Sequence, residues 1–444
     1  MSQPTTKEQP LQVAFIHPDL GIGGAEQLVV NLALSCQKLN WKVKLYTPSY
    51  DPSRAFKEIK NGTLPLEIHG NIFPRRIFGK FHALCEYIRV LLCALYVLFF
   101  GGHYDFVVLD QIPFPIPILN LRFKTFFYCH HPDKLLCTER NGLLKKIYRY
   151  IIDFIEELTM SFAHCIVVNS LYTQKVFMDS FNMMKNRYKA KPPKVIYPCI
   201  DLRAYDGDAG ITKKDILTVN GLEKLKNVDI SKMKVIVSLN RYERKKNLNL
   251  AVKAYLDYMT KESKGNYDKS CLIIAGGYDT GLQENIDVYN ELSAYIDNDE
   301  KRKMNVFFLK NISNRERSIL YRTANLVIYT PKNEHFGIVP IEAMYCGAWV
   351  IAHKSGGPME SVVDGQTGFL LDNEDAEKWG EKIKEIVEGK NKLCKVNESD
   401  GMNEQKVKDE LKKYVEGKFS LKKMEDDLYE SVCEMFLNRK IKKD

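Results

Sequence analysis

The sequence predicts an α/β protein made of two doubly wound, parallel-sheet domains that face each other across a cleft. Three observations lead there. Short apolar runs alternate with segments of helical spacing along nearly the whole chain, the pattern of a sheet covered by helices on both faces. The alternation lapses once, over residues 201–232, into a charged stretch without strong period. And 444 residues exceed what one such domain usually holds.

In the first half, strands are predicted at 11–17, 42–47, 106–109, 125–129 and 165–169, with helical spacing at 25–39 and 148–162. In the second half they are predicted at 235–239, 271–275, 306–309, 326–330 and 349–352, with helices at 248–259, 314–323 and 338–345. The expected division is a domain over 1–205, a linker over 206–232, a domain over 233–420, and a C-terminal helix over 421–444 that packs back on the first domain. Residues 389–404 read as a surface insertion. Ligands of such sheets bind beyond the carboxyl ends of the strands.

Composition narrows the class. Apolar residues make up 45% of the chain, which excludes wholesale disorder. Lys and Arg number 65 against 56 Asp and Glu, a mild net charge of +9 that weakly favours anionic partners such as phosphates or acidic lipid surfaces; no nucleic-acid partner is expected. The eleven cysteines include no C-x-x-C pair, so a zinc ribbon or redox pair is not expected, and most read as core residues of a reducing compartment. Residues 1–10 are polar and lack the apolar core of a signal peptide. The bulk of the chain is therefore expected to be soluble and cytosolic.

One run stands apart. Residues 90–100 are apolar throughout, short of the roughly 20 residues that a membrane span needs. Two readings stay open: a buried core helix, or a segment lying in a membrane interface. Arg75, Arg76, Lys80, Phe78 and Phe81 just upstream suit the second.

Four motifs sit at predicted strand ends. Gly23 and Gly24 lie in a glycine loop between a strand and a helix, where backbone can approach a phosphate or sugar. Glu26 stands where a nicotinamide-binding loop wants its third glycine, and the next strand ends at Thr47 without an acid, so a dehydrogenase is disfavoured. Arg241 and Lys246 belong to a set of four cations in six residues, suited to gripping a diphosphate. Glu334 precedes a helix opened by Gly337, with Pro340 in its first turn. The amides of Gly337, Ile338 and Val339 can take an anion there. Glu334 can reach a sugar hydroxyl or developing positive charge, and Glu342 can accept from ribose hydroxyls. His130 and His131 follow the strand at 125–129, and one imidazole there can donate to a sugar. Which of the two acts is open. Zinc is disfavoured, since no third ligand stands at metal spacing. The D-x-D pairs Asp206/Asp208 and Asp297/Asp299 read as surface charge rather than as a metal motif.

Taken together, the GGAE loop, the Arg241/Lys246 pair, the E-x7-E of Glu334 and Glu342, and the S-G-G-P at 355–358 resemble family 4 retaining glycosyltransferases of GT-B architecture, with two Rossmann-like domains. HPDLGIGGAE, YCHHPD, LNRYERKKN, IAGGYD and YTPKNEHFGIVPIEAM further resemble the eukaryotic mannosyltransferases of asparagine-linked glycosylation. The resemblance implies transfer of α-1,3- and α-1,6-mannose from GDP-mannose to dolichol-linked Man-GlcNAc2, with retention and no metal or other cofactor. It implies an acceptor-binding first domain with a membrane-associating segment near 73–101, and a nucleotide-sugar-binding second domain. Arg241 and Lys246 would hold the diphosphate, Glu342 the ribose and Glu334 the mannose. His130 would face the donor sugar, and Gly23 and Gly24 would close over phosphates and acceptor. A membrane surface, other early mannosyltransferases of the pathway, and a place on the cytosolic face of the endoplasmic reticulum are implied too. A family 4 enzyme using a UDP-sugar on a lipid acceptor is the nearest alternative, and a catalytically silent GT-B scaffold at a membrane is the remote one.

Overall fold

Val13, Ala14, Phe15 and Ile16 are all almost fully buried, so the first strand, β1 (Gln12–Ile16), requires a sheet covered on both faces. The computed structural model places it in the interior of one, third of seven strands. It describes residues 9–77, 81–136, 142–208, 210–262, 269–299, 302, 305–389 and 404–437. The chain forms two units, Met1–Cys199 with Leu421–Asp444, and Ile200–Ser420.

The first unit adds β2 (Lys42–Thr47), β3 (Leu66–Ile68), β4 (Phe106–Asp110), β5 (Lys124–Cys129), β6 (Cys165–Val168) and β7 (Lys194–Val195). All pairs are parallel, in the order β3-β2-β1-β4-β5-β6-β7. Strand side chains alternate between faces, and two cores result. Val13 and Phe15 pack with Leu28 and Val29 of the helix Gly24–Lys38. Ala14 and Ile16 join Val90, Cys93 and Val97 of the helix His82–Phe100. The C-terminal helix Leu421–Leu437 belongs to the first core: Met424, Leu428, Val432 and Met435, one helical stripe, are buried there.

In the second unit, β8 (Lys234–Leu239), β9 (Ser270–Gly276), β10 (Val306–Lys310), β11 (Leu326–Tyr329), β12 (Trp349–His353) and β13 (Phe369–Leu371) form a parallel sheet ordered β10-β9-β8-β11-β12-β13. Ile236 and Ile274 pack with Ala251 and Tyr255 of the helix Leu248–Glu262 and with Trp379 and Ile383 of the helix Ala376–Val387. Strand order reverses between β1 and β4 in one unit, and between β8 and β11 in the other. These switch points are where doubly wound sheets take ligands.

The structure departs from the sequence expectations in three places. Residues 206–232 are part of the second unit, not a separate linker. Two short 3-10 helices, Lys213–Thr218 and Glu223–Asn227, bury Ile216 and Leu225, and the residues that flank them, Val219 and Leu222, are buried too. Turns this short, joined through extended backbone at Val219, show neither the alternation of a strand nor the stripe of an α-helix. Strands β3, β7 and β13 are only two or three residues long, too short to show alternation. The helix His82–Phe100 is long and apolar enough to span a membrane by length and composition. Its inner face is nevertheless core, and its Arg89 is buried, donating to the Pro48 carbonyl at 2.5 Å; Phe99 and Phe100 at its end are exposed. Of the cationic and aromatic residues expected beside it, Phe78 and Lys80 lie outside the described residues, as do 390–403 of the expected insertion and 438–444 of the C-terminal helix.

Candidate active site

The carboxyl ends of β8 and β11 carry the second unit's candidate residues. After β8 the chain passes Arg241 and makes a single turn, Arg244–Lys246, closed by Asn247 in the left-handed region at φ 48°. The hydroxyl of Thr330, just past β11, donates to the Lys246 carbonyl at 2.7 Å and pins that turn. Lys246 is thereby buried, and its Nζ donates to Glu334 Oε1 at 2.8 Å. Burial lowers the Lys246 pKa, and Glu334 offsets part of that shift. Burial, and after it the Glu334 carboxylate, push the Tyr329 pKa well up. Arg241 is exposed, with its guanidinium 2.8 Å from Glu243.

Two glycines shape the loop that holds Glu334. Gly337 caps the helix Ile338–Tyr345 at φ 80°, against the Tyr329 ring. Gly357 donates its amide to the Glu334 carbonyl at 2.8 Å, and a Cβ there would lie 2.1 Å from the Phe336 carbonyl oxygen. The Asn333 amide donates to Ser355 Oγ at 2.9 Å. The S-G-G-P segment is thus the floor on which the Glu334 loop lies. Ile338 and Val339 open the helix, so their amides lack an intrahelical acceptor. Glu342, deeper in that helix, is buried, with Tyr205 donating to Oε1 at 2.7 Å and Tyr321 to Oε2 at 2.9 Å. Arg317 lies 3.6 Å from Oε1.

In the first unit, Asp110 ends β4 and is buried between two imidazoles. Its Oδ1 is 2.7 Å from His17 Nδ1, and its Oδ2 is 2.9 Å from His130 Nε2. His17 Nε2 is 3.8 Å from Glu26 Oε1. Burial alone would discharge His17, but Asp110 and Glu26 overcome it and hold the ring protonated. Burial likewise opposes ionisation of Asp110, and the two histidines overcome that. Gly23 precedes the helix Gly24–Lys38, and a Cβ there would lie 2.2 Å from Glu26 Oε2. Asn169 donates to the His130 carbonyl at 3.0 Å, fixing the loop after β5.

Comparison with known proteins agrees with this geometry. Residues 22–204 match the family described as Glycosyltransferase Family 4, and residues 212–400 match Glycosyl transferases group 1. A solved sucrose-phosphate synthase from Thermosynechococcus elongatus superposes with TM-score 0.68 at 16% identity, covering 96% of this chain and 100% of that one. That likeness establishes the GT-B fold. The Dictyostelium discoideum alpha-1,3/1,6-mannosyltransferase ALG2 is 40% identical over 438 residues, 95% of this chain and 97% of its own. The chain belongs to the alpha-1,3/1,6-mannosyltransferase ALG2 family. The Mus musculus member is 42% identical over 367 residues, 81% of this chain and 84% of its own.

For this ALG2-family chain, the tertiary structure brings Lys246 to Glu334 and His130 to Asp110, and leaves Arg241 exposed beside Glu243. His130, rather than His131, makes the Asp110 contact. Sequence reasoning gave no site role to His17, Asp110, Tyr205, Arg317 and Tyr321, nor to Glu26, which entered only as evidence against a dehydrogenase and as part of the GGAE loop. For His17 and Asp110 a signal existed: each is a polar residue ending a buried apolar run, the same signal that marked His130. Asp206, expected as surface charge, accepts from Tyr345 and Lys412, both at 2.8 Å.

Proposed function

We propose that this chain transfers mannose from GDP-mannose to dolichol-linked Man-GlcNAc2 with retention, forming α-1,3 and α-1,6 linkages at the cytosolic face of the endoplasmic reticulum membrane. The observation that carries the reading is the Lys246–Glu334 ion pair beside the amide-bearing start of the helix Ile338–Tyr345. It places a cation, a carboxylate and free N–H donors around one loop, the set needed to hold a sugar and stabilise a departing diphosphate.

In this reading the bond between the anomeric carbon and the diphosphate oxygen breaks, and the acceptor oxygen bonds to that carbon on the same face. The acceptor's hydroxyl proton passes to the departing diphosphate. Lys246, Arg241 and the amides of Gly337, Ile338 and Val339 stabilise the charge that grows there. Glu334 bonds the mannose hydroxyls and stabilises positive charge at the anomeric carbon. Glu342 accepts from the ribose with lone pairs its tyrosines leave over. His130, oriented by Asp110, contacts the mannose, and the loop of Gly23 and Gly24 receives the acceptor.

The test is a transfer assay on the purified protein with GDP-mannose or UDP-sugars, a lipid-diphosphate Man-GlcNAc2 acceptor, and EDTA. Two successive additions, one α-1,3 and one α-1,6, are expected from GDP-mannose. Transfer only from a UDP-sugar would overturn the donor assignment, and loss of transfer in EDTA would overturn metal independence.

A further inference from the structure

The helix Leu143–Met160 presents an outer stripe that the first unit does not cover. Leu143, Leu144, Ile147, Tyr150, Ile151 and Phe154 recur at helical spacing and are exposed; Leu144 is 85% exposed and Tyr150 72%. The opposite face is well used: Ile152, Thr159 and Met160 are buried. A stripe this apolar on a single helix exceeds the scattered exposure of ordinary surfaces. It continues onto the start of the helix His82–Phe100, where exposed Phe81 stacks edge-on to Tyr148 and the Leu84 amide bonds the Tyr148 hydroxyl.

The charges decide the occupant. Every acid of this helix is engaged in a hydrogen bond or an ion pair. Asp153 lies 3.0 Å from buried Arg149, Glu156 accepts the amides of Asp133 and Lys134, and Glu157 accepts the Met183 amide at 2.5 Å. Lys145 and Lys146, by contrast, are exposed in the first turn. An apolar stripe with an aromatic belt residue and two exposed cations in its first turn complements an anionic lipid surface, with rings and aliphatic chains at the headgroup boundary.

We propose that the outer stripe of Leu143–Met160 lies in the interface of a bilayer carrying acidic lipid and docks the first unit on it. The helix His82–Phe100 contributes only its exposed first turn and keeps its inner face in the core. The inference rests on the membrane-borne acceptor of the proposed function.

The test is flotation of the full chain with vesicles of phosphatidylcholine plus phosphatidylinositol, and with phosphatidylcholine alone. The wild-type chain is expected to float with the acidic vesicles, less so at high salt. The double change Ile147→Gln and Ile151→Gln should lower partitioning at least about tenfold. Lys145→Glu with Lys146→Glu should abolish the preference for acidic vesicles. Leu144→Gln, at a side chain already in solvent, guards against a folding defect: binding should drop with the melting temperature unmoved. Equal flotation of wild type and these variants, or self-association through the stripe without vesicle binding, would overturn the proposal. Transfer to a short-chain acceptor in detergent should be unchanged in every variant; its absence in the wild type would count against the proposed function alone.

Discussion

Lys246 and Glu334, 88 residues apart, meet as an ion pair of 2.8 Å at the adjoining ends of β8 and β11. Both side chains are largely removed from solvent, so each charge depends on the other, and removing one leaves its partner costly. The pair ties a cation for the leaving group to a carboxylate for the sugar.

The first prediction follows. Lys246→Ala should lower kcat by about 100-fold or more, the scale expected when a preorganised charge is removed from a developing anion. It should also cost about 1–3 kcal/mol of stability, because Glu334 is left without its cation. Glu334→Gln, which keeps the shape, should lose kcat with a smaller change in stability. Steady-state kinetics and thermal melting read both.

A second prediction concerns pH. His17 has its pKa raised above the ordinary 6.5, so its contribution to stability is full below about 6.5 and is lost as pH rises through the raised value. Asp110 has its pKa lowered from 3.8, so its contribution is present above about 3.8 and is lost as pH falls through the lowered value. The melting temperature of the wild type should therefore hold a plateau between these limbs. Asp110→Asn should lower that plateau and flatten both limbs, and it should lower kcat by loosening the His130 ring from the carboxylate that orients it. An unchanged melting profile would mean that the imidazoles do not share that carboxylate.

Two glycines should answer differently to alanine. At Gly357 the added methyl meets backbone, 2.1 Å from the Phe336 carbonyl oxygen, so Gly357→Ala should destabilise by about 2–4 kcal/mol and abolish transfer. At Gly23 it meets only the end of the Glu26 side chain, which can swing away. Gly23→Ala should melt within about 1 kcal/mol of wild type while weakening acceptor use. Denaturant unfolding beside KM for the acceptor separates the two.

A fourth prediction addresses Glu342. Tyr321→Phe removes one of its two tyrosine donors and should cost about 1 kcal/mol, raising KM for the donor while largely sparing kcat. Glu342→Ala strands two buried hydroxyls and Arg317 together and should cost more, about 2–4 kcal/mol. Calorimetric binding of GDP-mannose gives the independent measure.

The long central strands, the helices between them, and the residues at strand ends were legible from the amino-acid order. Burial on both faces makes a parallel strand a continuous apolar run, and a polar residue stopping that run marks the ligand-facing end of the sheet. Gly23, His130, Arg241, Lys246, Glu334 and Glu342 were singled out as candidates this way because each lies beside or shortly after such a signal. Edge strands of two or three residues have no period to read, and the short 3-10 turns Lys213–Thr218 and Glu223–Asn227 are too brief to show one. What only the tertiary structure decided is which of these residues meet. Strand order puts β1 beside β4 and β8 beside β11, and so it pairs His17 with Asp110 and Lys246 with Glu334. The helix His82–Phe100 makes the same point: its composition suits core and membrane alike, and only the packing of Val90, Cys93 and Val97 assigns its inner face to the core. Periodicity reports which face of an element is apolar, whereas its neighbour is fixed by contacts between residues far apart in the chain.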